Sequence, residues 1–147
     1  MADHDTVSPW ESRANEARSI VANMRSPTEI DRTVPRGFGA YVYLAYSAGR
    51  IKIGTSREVK SRHRGLNTQS PHPVTVILAV PGGTELERKL HDCLGSLRVH
   101  GEWFSITRDM RRLLKLRLCK SGMRKFKQAE ADFRKWLADE GYTRANR

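Results

Sequence analysis

The chain has 147 residues, with 27 Lys and Arg against 16 Asp and Glu, for a formal net charge of +11. That length favours one compact domain with appendages, and 38% hydrophobic residues are too many for a wholly disordered chain. No apolar run approaches the ~18–20 residues of a membrane span, the acidic start Met1-Ala2-Asp3-His4-Asp5 does not read as a secretory signal, and two cysteines, Cys93 and Cys119, make no disulfide framework or zinc finger. The expectation is an intracellular, cytoplasmic protein with a polyanionic partner and no membrane association.

The charge is uneven. Residues 1–40 carry a net of −1, residues 41–107 +4 and residues 108–147 +8. A basic C-terminal segment steers any polyanion, and a solvated helical face explains it equally well.

In chain order, Ser8-Pro9-Trp10-Glu11 predicts a helix start: a cap, a first-turn proline and a capping-box glutamate. Trp10, Ala14, Ala17, Val21 and Met24 then recur at helical spacing. Pro27, Pro35 and Gly37 mark residues 26–39 as a linker. From Tyr41 the period becomes two, and the segments Tyr41–Tyr46 and Ile51–Gly54 read as a hairpin about Ser47–Arg50. Pairing Tyr46 with Ile51 puts Val42, Leu44, Ile51 and Ile53 on one face and Tyr43, Ala45, Lys52 and Gly54 on the other.

Thr55 and Glu58 form a second capping-box pattern, opening a short helix to about Leu66. Pro71 and Pro73 bound a loop, and Val74–Val80 is a β-branched run of buried-strand type. Thr84 reads as the cap of a helix with the stripe Leu86, Leu90, Leu94 and Leu97. Gly101–Ile106 reads as a last short strand. Thr107 is expected to cap a helix over 108–119 with Met110, Leu113, Leu114 and Leu118 inward, broken at Ser121-Gly122. A final amphipathic helix presents Phe126, Ala129, Phe133, Trp136 and Leu137.

Five side chains of the middle segment carry potential chemistry: Tyr43, Lys52, Arg62, Glu87 and His91. The ordered set Tyr41-Val42-Tyr43-Leu44, Lys52-Ile53-Gly54-Thr55-Ser56-Arg57, Arg62, Leu66–Pro71, Leu86–His91 and Gly101-Glu102-Trp103-Phe104 resembles the GIY-YIG nuclease superfamily, in its phage-type branch with a KIG second motif. The resemblance spans residues 41–106. It implies an α+β core with a small three-stranded, mainly antiparallel sheet and flanking helices. It also implies an endonuclease that hydrolyses DNA phosphodiester bonds with Mg²⁺ or Mn²⁺.

In that frame Tyr43 matches the tyrosine proposed to activate water. A free tyrosine, of pKa ~10, is a poor base at neutral pH, and the ammonium of Lys52, diagonal to it across the strands, favours phenolate. Arg62 matches the phosphate-gripping arginine. Glu87 matches the single metal ligand, which suits Mg²⁺ because that ion keeps several waters. His91, four residues on, shares its helix face and could orient a phosphate, move a proton or join the metal.

Each residue also has a plainer reading. Tyr43 is a strand aromatic, Lys52 a solvated lysine where better-known relatives carry tyrosine, and Arg62 a surface arginine. Glu87 is explained by a capping box with Thr84, and His91 by an ordinary polar helix position. Glu102 is either a supporting partner or a salt bridge for the last strand. Trp103 and Phe104 read as core, His63 and His100 as surface.

The cations expected to hold nucleic acid are Arg57, Lys60 and Arg64, together with Arg108, Arg111, Arg112, Lys115, Arg117 and Lys125 of the C-terminal helices. The organisation expected is an N-terminal helix and linker (1–39), a nuclease-type core (40–106) and a basic helical extension (107–147). The competing functions are a non-catalytic DNA- or RNA-binding module on the same fold, or a structural protein of a phage-like particle.

Overall fold

The computed structural model describes residues 9–26, 40–57 and 72–141. The expected capping residue Ser8, residues 27–39 of the expected linker, the expected short helix toward Leu66, and the residues Lys60, Arg62, His63 and Arg64 lie outside them.

Helix α1 spans Pro9–Val21 and buries Ala17, Ile20 and Val21. Met24 follows it into the core. Arg25 then exchanges backbone hydrogen bonds of 2.8 Å in both directions with Ala79, which occupies part of an otherwise open sheet edge. Strands β1 (Tyr41–Ser47) and β2 (Arg50–Ser56) form the hairpin in the expected register, Tyr46 opposite Ile51 and Leu44 opposite Ile53. Its turn is the two-residue loop Ala48-Gly49, with φ of 49° and 81°. Positive φ at both central residues matches the strand twist, and the second is a glycine that bears it without strain. The Gly49 N–H donates to the Tyr46 hydroxyl at 3.1 Å. Strand β2 runs through Thr55 and Ser56, so Thr55 is a strand residue opposite Val42 rather than a helix cap.

Strand β3 (Thr75–Pro81) pairs with β1, and helix α2 (Thr84–Cys93) follows. The cap of α2 is Gly83, with no side-chain capping bond. Thr84 is the first helical residue, so the expected capping box with Glu87 does not form. After a 3₁₀ turn at Gly95–Leu97 come β4 (Arg98–His100) and β5 (Trp103–Ser105). Among the described residues the sheet has five strands in the order β3-β1-β2-β5-β4, each neighbouring pair antiparallel. The expected three-stranded sheet is thus too small. Strand β4 is missed because its three residues are exposed, so it carries no buried face for a period of two to reveal.

Helix α3 (Arg108–Lys115) starts as expected: the Thr107 hydroxyl accepts from the Met110 N–H at 3.3 Å. It stops at Lys115, short of the expected 119. Helix α4 (Lys120–Trp136) begins where a break was expected, with the Cys119 sulfur accepting from Gly122 N–H at 3.4 Å. Ser121 and Gly122 therefore lie in its first turn. A π-helical turn, Leu137–Gly141, ends the described chain.

One apolar cluster takes in Val21 of α1, Val42, Leu44 and Tyr46 of β1, Ile51 and Ile53 of β2, Leu90 of α2, Phe104 of β5, Met110 and Leu114 of α3, and Phe126 of α4. The helices at both ends of the chain therefore share the core of the sheet. A second cluster holds Tyr41, Tyr43, Ala45, Val74, Val76 and Ala79. Both sheet faces bury apolar surface, which is why β1 is buried at all of its positions.

Candidate functional site

Tyr43 and His91 meet the middle of β2, where Lys52 stands, Glu87 lies beside His91, and Arg62 falls outside the described residues. Lys52, Ile53 and Gly54 are consecutive in β2, and each takes a different partner. Lys52 extends to Glu102, 3.4 Å from its ammonium, with its side chain only 12% exposed. The same ammonium lies 5.8 Å from the centroid of the Trp103 ring. Glu102 is thus the ion-pair partner that ties β2 to the turn entering β5. Gly101, with φ of 55°, makes that turn possible.

Gly54 lies opposite Tyr43. A methyl group on Gly54 would stand 2.6 Å from the Tyr43 hydroxyl oxygen and 2.8 Å from the adjacent ring carbon. The phenol therefore rests on the bare backbone of β2, and only glycine leaves it room. Tyr43 has no exposed surface.

Ile53 is where the β2–β5 ladder runs out. Its N–H donates to the Glu102 carbonyl at 2.9 Å. Its own carbonyl is taken by His91 of α2, whose Nε2 lies 2.9 Å away. The imidazole completes the ladder where strand β5 no longer reaches. Arg98 of β4 meets the other ring nitrogen, Nδ1, at 2.8 Å. An arginine N–H can only donate, so Nδ1 accepts, and Nε2 carries the proton that is donated to the Ile53 carbonyl. Glu87 Oε1 lies 3.5 Å from that same Nε2. The ring also packs edge-on against Phe104, with centroids 5.1 Å apart, and the Arg98 guanidinium lies 5.6 Å from the Phe104 centroid.

The structure thus brings Glu87 and His91 together, places Lys52 against Glu102, and sets Tyr43 against Gly54. The side chains of Glu87 and His91 are 14% and 11% exposed. With both ring nitrogens engaged, His91 is fixed between β2 and β4, and Glu87 lies beside it. The participation of Arg98 carried no signal in the sequence, because it reaches His91 only once β4 folds back beside β5. Among the described residues, no group of three or more His, Cys, Asp or Glu side chains is arranged to hold a metal ion.

The basic residues of the C-terminal segment are not equivalent. Arg108, Arg112, Lys115 and Lys125 are exposed, as is Arg57 just past β2. Arg111 is committed to Glu130 of α4 through both terminal guanidinium nitrogens, one at 2.9 Å. This fork-on-fork pair holds the Arg111 proton more tightly than usual. Arg117 donates from Nε to the Met24 carbonyl at 2.8 Å, fastening the segment after α3 to the end of α1.

A comparison with protein families matches the T5orf172 domain over residues 40–136. No GIY-YIG match accompanies it, so the superfamily expected from the motif order is corrected by this finding. No curated protein and no solved structure matches the chain. Among the described residues, no helix is long and apolar enough to cross a membrane.

Proposed function

The chain belongs to the T5orf172 domain family, and from that premise we propose that it acts on DNA, as a divalent-metal-dependent hydrolase of phosphodiester bonds. The association of this domain with phage-type, nuclease-like proteins supports a DNA-acting role, and the net charge of +11 suits a polyanionic substrate. The observation that carries the hydrolytic reading is the placement of the Glu87 carboxylate beside His91. It stands partly exposed, 3.5 Å from His91 Nε2, on an imidazole locked by Ile53 and Arg98. A fixed ring beside it narrows where the Glu87 side chain can lie before any ligand arrives.

One carboxylate fits Mg²⁺ or Mn²⁺, ions that take their remaining ligands from water and substrate phosphate. Glu87 is the residue that would hold such an ion, and the ion would supply charge to offset that developing on the phosphate. His91 is a positioning residue in this reading, acting through Glu87. Lys52, drawn in toward Glu102, orders the β2–β5 junction. The Tyr43 phenol fills the space over Gly54 and sets the path of β2 beside the site.

A supercoiled-plasmid nicking assay tests the proposal. Wild type should nick with Mg²⁺ and stop with chelator, and Glu87→Ala should lower the rate about a hundredfold or more while unfolding at a similar temperature. Undiminished nicking by Glu87→Ala would refute the assignment.

A second reading, a DNA- or RNA-binding module without catalysis, is favoured by two observations. Tyr43 has no exposed surface, and Lys52 is paired with Glu102, so neither stands ready to activate water. That reading predicts salt-sensitive binding with no cleavage by either metal.

A further inference from the structure

At the tip of the hairpin, away from the Tyr43–Gly54 pair, a cleft of about 680 Å³ opens between Tyr46 and Ala48, the segment entering β3, and helix α4. Its wall is built from two parallel rows of α4. Residues four apart lie on the same helix face, so Arg124, Gln128, Asp132 and Trp136 form one row and Lys125, Ala129 and Phe133 the next. The rows are graded: cationic heads at the N-terminal end, an amide and a carboxylate in the middle, aromatic rings at the C-terminal end. From Arg124 to Trp136 the helix rises ~18 Å.

At the aromatic end His72 stands across from the helix. Its ring lies 4.5 Å from that of Trp136 and 5.4 Å from that of Phe133, edge-on to both. Phe133 and Trp136 are nearly parallel, 14° apart in plane and 5.9 Å between centroids. Trp136 remains 37% exposed at the end of this stack. In the middle the Gln128 amide nitrogen donates to Asp132 at 2.9 Å, which fixes the amide with its carbonyl oxygen pointing elsewhere. No apolar function requires two arginine or lysine heads at one end of an aromatic cleft.

We propose that this cleft binds unpaired nucleotides of a single-stranded nucleic acid. A base stacks on the open part of Trp136, and the sugar-phosphate chain runs along α4 toward Lys125 and Arg124. The proposal rests on the DNA-acting reading above and deepens it by assigning the form of the substrate. The form follows from chemistry: a duplex buries its base faces against one another, and only an unpaired base offers a face to an indole. The cationic end complements phosphate, and the volume lies within the ~300–1,000 Å³ range of small-ligand sites. The family match ends at Trp136, so the whole cleft wall on α4 belongs to the matched domain.

The experiment is fluorescence anisotropy of the full chain with labelled oligothymidylate and with a labelled duplex of equal length at one salt concentration. Wild type, Trp136→Ala and Trp136→Phe are compared, each with its sedimentation coefficient. Trp136→Ala should bind oligothymidylate about tenfold more weakly, Trp136→Phe should retain most of the affinity, and duplex affinity should change less than twofold. Equal binding of oligothymidylate by wild type and Trp136→Ala overturns the cleft assignment and leaves the DNA-acting reading standing. A wild-type chain that binds neither oligonucleotide overturns that reading, and this one with it. A fall in sedimentation coefficient on Trp136→Ala, with oligothymidylate binding intact, identifies the cleft as a contact between copies of the chain and also overturns the proposal.

Discussion

Gly54 and Tyr43 approach closely across the β1–β2 pair. An alanine at position 54 would place a methyl 2.6 Å from the phenol oxygen of a fully buried side chain, and overpacking of this kind costs ~1–3 kcal/mol. Gly54→Ala should therefore lower the midpoint of thermal unfolding by several degrees. An unchanged midpoint would mean that Tyr43 swings aside freely. The cysteines make a second contrast at this scale. Burial, then the hydrogen bond to Glu16, pushes the Cys93 thiol up to about 11. The Ser121 hydroxyl and the Gly122 N–H draw the exposed Cys119 thiol below its ordinary value.

Iodoacetamide at pH 8 should consequently alkylate Cys119 first, with mass spectrometry finding Cys93 protected in the folded chain. The folded pKa of Cys93 is raised, so its contribution to stability is complete below the unfolded value near 9 and fades as pH rises toward 11. Stability measured across that window should fall less steeply in Cys93→Ala.

At the scale of elements, the short helix α3 depends on its ends. Eight residues are too few for a helix to persist alone. It is held by the Thr107 cap, by the buried Met110, Leu113 and Leu114, and by the Arg111–Glu130 fork to α4. Thr107→Ala should cost ~0.5–2 kcal/mol in denaturant unfolding, the usual range for a lost cap. A smaller cost would show that core packing alone holds the helix. The sequence announced this cap because a threonine before an apolar stripe is a local pattern. It did not announce the α4 cap, since Cys119 is an uncommon capping residue and the following Ser-Gly pair reads locally as a break. The capping box of Thr84 and Glu87 was the converse case. The spacing was present, but Gly83 took the cap position, leaving the Glu87 carboxylate beside His91 instead.

Across the whole molecule, the +8 of the C-terminal segment divides into charges held internally and charges open to a partner. Each phosphate contact removed lowers the salt dependence of DNA binding by about one unit of slope. Replacing the exposed Arg108, Arg112 and Lys115 by alanine should lower that slope by about 3 in total if all three meet phosphate. Arg111→Ala should leave the slope unchanged and reduce thermal stability instead, because its guanidinium already belongs to Glu130. Binding measured from 50 to 200 mM salt distinguishes these outcomes. A slope reduced by Arg111→Ala to the same degree as by the other replacements would contradict the division.

By itself the sequence determined the features that local pattern encodes: the hairpin register, the first helix, the apolar face of α3 and the overall positive charge. These depend on periodicities of two and 3.6 and on side chains within a few positions of one another. The tertiary structure alone decided the rest. Strand β4 has no buried face to declare it, and Arg98 meets His91 only across the folded sheet. Arg111 loses its availability to a residue 19 positions away. The aromatic cleft exists because α4 packs Phe126 edge-on against Tyr46, with centroids 5.4 Å apart, and so brings Trp136 beside His72. Each of these is a contact between distant segments, and a one-dimensional pattern records a residue's neighbours in the chain rather than those in space.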